Sequence, residues 1–234
     1  MAPPPGPKPP RRFPRWFVPA AFGLVVVLAA NTIWLLWPSS SNGPQHLVAG
    51  TVQATVLSAD EVSSLAGTTI VPAASSSVPP APLGADKPLC VVAVGPATRA
   101  VYGDAWTGFL SVTYQDVARK GSITVTQVAA VFPSADGATA AFKTLNGGLA
   151  GCESSSVIDK SGRGTQWQYK VGAQAPTSIS WTATQDNGGG SGWACHHQAR
   201  VAGVTLLQVA VCDAGNGDAI AAKVADKFAA RVKG

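Results

Sequence analysis

Apolar positions along this chain follow three different periods. Residues 17–37, FVPAAFGLVVVLAANTIWLLW, are apolar all round and carry no charge. A helix of that length reaches roughly 32 Å at ~1.5 Å per residue, enough for a hydrocarbon core of about 30 Å. Beyond it the pattern breaks into shorter stretches. Ser58 and Glu61 supply a capping box for a helix with Val62 and Leu65 inward, and Gly67 stops it. Residues 105–115 alternate, with Trp106, Leu110, Val112 and Tyr114 on one face and Thr107, Ser111 and Thr113 on the other. That predicts a strand with one buried side. Residues 123–132, ITVTQVAAVF, turn apolar on both faces and predict a more central strand. Ser134 is the predicted N-cap of a helix with the stripe Ala138, Ala141, Phe142, Leu145 and Leu149. Residues 166–171 and 177–185 predict two strands beyond a Gly/Ser linker, the second with Ile179, Trp181 and Ala183 on one face. Residues 193–212 predict a hairpin. A helix from about Asp218 ends the chain, with Ile220, Ala221, Val224, Phe228 and Val232 inward and Lys223, Lys227 and Arg231 on a solvated side. Residues 68–88, with five prolines and a serine run, predict a loop.

Charge orients the long run. Lys8, Arg11, Arg12 and Arg15 precede it and no cation follows closely, so the positive-inside rule puts the N-terminus in the cytoplasm and the rest outside. Phe13, Trp16, Phe17, Trp34 and Trp37 mark its two interfaces. The run exceeds the 7–15 apolar residues of a signal peptide, and WPSS offers no small-x-small cleavage site, which favours an uncleaved anchor. The expected organisation is a disordered basic, Pro-rich tail at 1–16, a transmembrane helix at 17–37, a linker at 38–50 and one extracytoplasmic domain at 51–234. Topology also explains the net charge of +5. With four of the 17 cations in the tail, 13 remain against 12 acids outside, a net of +1. A nucleic-acid surface is not expected.

Reactive constellations are sparse. Ser191 sits in GGSGW, where Trp193 replaces the second Gly of a nucleophile elbow. The acids are scattered among turns, caps and helix ends, so no general acid-base pair is legible. His196 and His197 are neighbours on a predicted strand and point to opposite faces, while His46 lies in the linker. No catalytic residue, metal site or cofactor is expected. The four cysteines, Cys90, Cys152, Cys195 and Cys212, fall in the oxidising compartment and should pair, and spacing alone permits three connectivities.

Six pieces in order, LSADEV, CVVAVGPATRAVYGDAW, QVAAVFPSADGATAAF up to Cys152, WTATQDNGGGSGWAC, the hairpin to Cys212 and the last amphipathic helix, resemble the PknH-like extracellular sensor domain of mycobacteria, here without a kinase domain. The resemblance implies an α+β fold, with a twisted antiparallel sheet, flanking helices and a cleft for a ligand, and no catalytic residues. A non-enzymatic, membrane-anchored sensor of an unidentified small molecule or envelope component is the expected function. A membrane protein partner would carry any signal inward. Small-molecule sites favour aromatics, so the cleft candidates are Tyr102, Trp106, Tyr114, Trp181 and Trp193, each of which also reads as a core or edge aromatic. The competing functions are a protein-interaction module and, with less support, an envelope-polymer hydrolase.

The hairpin admits a register argument. If Cys195 and Cys212 stand directly opposite, His197 pairs with Ala210, Val201 with Leu206 and Ala202 with Thr205, and Gly203-Val204 makes the turn. Gly at the first central position suits a type II′ turn. A register centred on Ala202-Gly203 would set the cysteines diagonally, with Cα atoms at about 7–8 Å, beyond the usual disulfide range of about 4.4–6.8 Å. The expected disulfides are therefore Cys195–Cys212 and, from the remaining pair, Cys90–Cys152.

Overall fold

A computed structural model describes residues 50–95, 98–117, 122–158, 162–186 and 192–232. The expected tail, transmembrane helix and residues 38–49 of the linker lie outside the described residues, as does most of the Gly-rich loop at 187–192. Among the described residues no helix is long and apolar enough to cross a membrane.

The alternating stretches form strands of one sheet: β1 (Ile70–Ser76), β2 (Gly84–Ala85), β3 (Gly108–Asp116), β4 (Ile123–Val131), β5 (Ser154–Ile158), β6 (Gly164–Ala175), β7 (Ser178–Gln185), β8 (Ala194–Ala202) and β9 (Thr205–Asp213). Their order is β1-β3-β4-β9-β8-β7-β6-β5-β2, with every neighbour antiparallel. The helices are α1 (Gly50–Gln53), α2 (Ala59–Ala66), α3 (Arg99–Tyr102), α4 (Ala135–Ala150) and α5 (Gly217–Val232), with a 3-10 turn at Pro88–Val92. This is an α+β fold.

The sheet is covered on both faces, and strand alternation assigns each residue to one of them. On the first face Phe109, Val128, Ala130, Trp181, Ala199 and Leu206 pack with Phe142, Leu145 and Leu149 of α4 and with Tyr102 and Trp106. On the second, Leu110, Tyr114, Val125, Leu207, Val209 and Val211 pack under Val62 of α2 and Ile220, Val224 and Phe228 of α5. The segment before α2 is clamped on this second face. Gln127, fully buried in β4, accepts from the Leu57 N–H at 3.0 Å and donates to the Leu57 carbonyl at 3.1 Å. The Tyr114 hydroxyl donates to the same carbonyl at 2.8 Å.

Several local expectations hold to the residue. Ser58 and Glu61 form the capping box, and Gly67 takes φ 68° at the C-cap. Ser134 caps α4 through the Gly137 N–H, and the whole predicted stripe is buried. The hairpin register runs as argued, from Cys195 opposite Cys212 to Ala202 opposite Thr205, and Gly203 turns it at φ 57°.

Other expectations need correction. Residues 68–88 are not all loop: β1 pairs with β3, and β2 with β5. Pro72 is tolerated because β1 is an edge strand whose register shifts between Pro72 and Ala74, so the missing N–H breaks no ladder. The Gly/Ser linker contains β5, whose Ser-rich sequence hides its two buried positions, Ser155 and Val157. Trp106 precedes β3 and packs on the first face, away from Leu110 and Tyr114. The outer side of α5 is less solvated than its charges imply. Lys227 reaches Glu61 at 3.1 Å, and Arg231 reaches Glu61 and the Val56 carbonyl at 2.6 Å.

Candidate functional site

The Cys195–Cys212 disulfide lines a cavity on the first face of the sheet. Cys195 and Cys212, with Cα atoms 3.9 Å apart, form part of its floor, together with His197 of β8, Ala210 of β9, Ala183 of β7 and Thr126 of β4. Trp167 and Tyr169 of β6 make one wall, and Val157 of β5 continues it. Two-residue periodicity brings these side chains to one side, since each is cross-strand from, or diagonal to, the next. Leu83 and the segment Ala93, Val94 and Gly95, just after the 3-10 turn, form the roof. The cavity measures about 220 Å³ and is partly open to solvent.

The roof is fixed by the second disulfide, Cys90–Cys152, which joins the 3-10 turn to the end of α4. Gly148 of α4 lets the two approach. A Cβ there would run into Val92 Cγ2 and lie 2.9 Å from the Leu89 carbonyl. The adjacent Gly147 has open space around it.

His197 is the main unsatisfied polar group in the floor. Its ring stacks on Trp181, with centroids 4.5 Å apart and planes 8° apart. Its Nδ1 is buried without a hydrogen-bond partner. Burial, reinforced by the neighbouring His196, pushes the imidazole pKa down to about 3, so the ring is neutral at physiological pH. The Tyr169 hydroxyl, 3.2 Å from the Ser155 hydroxyl, has its pKa raised by burial. Thr126 is similarly engaged, 3.0 Å from the Thr113 hydroxyl. His196 lies on the other face, its Nδ1 3.5 Å from the Thr182 hydroxyl. The two histidines therefore diverge, as alternation requires. Among the described residues no group of three or more His, Cys, Asp or Glu side chains is placed to hold a metal ion.

None of the five aromatics proposed from the sequence lines this cavity. Tyr102, Trp106 and Trp181 are buried in the first core and Tyr114 in the second. Trp193 is half-buried at the start of the hairpin. Trp181 comes nearest, supporting His197 from behind. Packing takes the first four of these rings because each sits on a core-facing position. Sequence reasoning missed Trp167, Tyr169 and His197 as a group. The signal was present in QWQYK, where alternate positions put both aromatics of β6 on one face, but their apposition to His197 depends on the order of β6, β7 and β8.

The family model for the PknH-like extracellular domain matches residues 47–231. The chain belongs to this family. Its fold is similar to the crystal structure of the extracellular domain of PknH from Mycobacterium tuberculosis, with a TM-score of 0.67 and 25% identity. That match covers 80% of this chain and 98% of the other. No curated protein sequence matches the chain. The resemblance read from the six sequence pieces is thus shown, and both disulfides of the PknH-like domain here join the expected cysteines.

Proposed function

We propose that this chain is a membrane-anchored extracytoplasmic sensor that binds a small molecule or envelope component, without catalysis, in the cavity beneath Ala93–Gly95. The N-terminus is cytoplasmic in this reading, residues 17–37 span the membrane, and a membrane partner relays any signal. The observation that carries the binding role is the disulfide-lined cavity, with an aromatic wall of Trp167 and Tyr169 and the neutral His197 imidazole in its floor. Small-molecule sites have this make-up of apolar walls and a few placed polar groups.

Ala210→Leu puts bulk into the floor without adding charge. The full-length protein and this variant, purified from their own cell envelope, can be compared by native mass spectrometry. The expected result is a discrete small-molecule mass on the wild type that is lost in the variant. The same adduct on both would contradict the cavity assignment.

A further inference from the structure

The chemical class of the ligand can be taken further, on the basis of the binding reading above. No Asp, Glu, Lys or Arg is among the described residues that line the cavity. Its side chains with polar atoms are Thr126, Trp167 (an indole N–H donor), Tyr169 and His197, and Thr126 and Tyr169 already face Thr113 and Ser155. His197 is held flat against Trp181, so it offers a fixed edge rather than a mobile one. A charged ligand would leave water for a space with no counter-charge, a cost that apolar contact does not offset. Trp167, Leu83 and Val94 supply apolar surface in the same cavity.

From this arrangement we infer that the cavity selects an uncharged, largely apolar, ring-bearing molecule that presents one hydrogen-bonding group to His197. The neutral imidazole serves a donor or an acceptor, since one ring nitrogen carries the proton and the other does not. The volume of about 220 Å³ lies below the ~300–1,000 Å³ of drug-sized sites. One or two fused rings fill it, and the remainder of the molecule projects through the mouth.

Two dyes that differ by one charge test this. N-phenyl-1-naphthylamine is uncharged with a single N–H, and 8-anilinonaphthalene-1-sulfonate adds a sulfonate to the same rings. Each is titrated into the full chain held in amphipol, and the signal from Ala210→Leu in the same amphipol is subtracted to remove partition into the belt. The expected result is saturable one-to-one binding of the uncharged dye, at least tenfold tighter than the sulfonate. His197→Phe keeps a flat ring over Trp181 and removes the polar edge. It should weaken the uncharged dye at least fivefold while leaving a cooperative melt. Equal or tighter binding of the sulfonate overturns the uncharged class and leaves the cavity reading standing. Unchanged affinity in His197→Phe overturns the role given to the imidazole. If neither dye distinguishes wild type from Ala210→Leu, the cavity reading itself fails.

Discussion

His197 shows what a single position contributes to both stability and site. The unfolded imidazole titrates near 6.5 and the folded one near 3, so between these values the unfolded chain binds more protons. Stability is therefore fully present above about pH 6.5 and falls as pH drops toward 3. Denaturant unfolding at a series of pH values should show the loss beginning between pH 7 and 5, and His197→Phe should flatten that window. A decline of equal slope in the variant would show that another group is responsible. Glu61 acts lower down. Its pKa falls from 4.5 to about 2, chiefly through the Ser58 backbone N–H, with Lys227 and Arg231 adding to the effect. Its contribution is thus lost from about pH 4.5 downward, outside the window used for His197. The face of His197 was legible from strand period alone. Its burial was not, because that depends on which strands lie beside β8.

Helices and strands carry tests of packing that separate neighbours in the sequence. In α4, Gly147→Ala should stabilise by about 0.5–1 kcal/mol, as helix propensity dictates, since nothing lies within 4 Å of the new Cβ. Gly148→Ala should instead destabilise by about 1–3 kcal/mol, because the added methyl drives into Val92 and the Leu89 carbonyl. Paired thermal melts decide this, and equal shifts would mean that the 3-10 turn is not docked there. In α5, Phe228 is fully buried, and Phe228→Ala should cost about 3–5 kcal/mol. Lys227→Ala should cost about 1 kcal/mol or less, since Lys227 itself is half-exposed and Glu61 keeps its pair with Arg231. Elements with strong periods or caps, such as α2, α4, α5 and the β8–β9 hairpin, were readable from local pattern. By contrast β1 and β5 were not, because an edge strand needs no uninterrupted ladder and a serine can be buried when a tyrosine hydroxyl faces it. The register of the hairpin was recoverable because a disulfide and a turn glycine constrain it from both ends.

For the whole molecule, β4 links the proposed site to the segment before α2. Thr126 faces the cavity, and the next residue, Gln127, clamps Leu57 on the opposite face. The aromatic cleft anticipated from the sequence fails to coincide with the cavity for a related reason. Single-residue hydrophobicity identifies rings, whereas the floor is assembled from β4, β9, β8 and β7 and the wall from β6 and β5. On topology, an alkaline phosphatase fused after the last residue should be active in cells, and a cytoplasmic reporter at the same place silent; the reverse would remove the anchor orientation. In the proposed reading, the cavity on the first face receives a ligand from the envelope. The chain has three histidines, so selective ¹⁵N-histidine labelling of the full-length protein in nanodiscs gives a resolvable imidazole spectrum. On titration with an extract of its own envelope, the ring signals of His197 should shift and saturate while those of His196 and His46 stay in place. Shifts at His196 or His46 with His197 unmoved would contradict it.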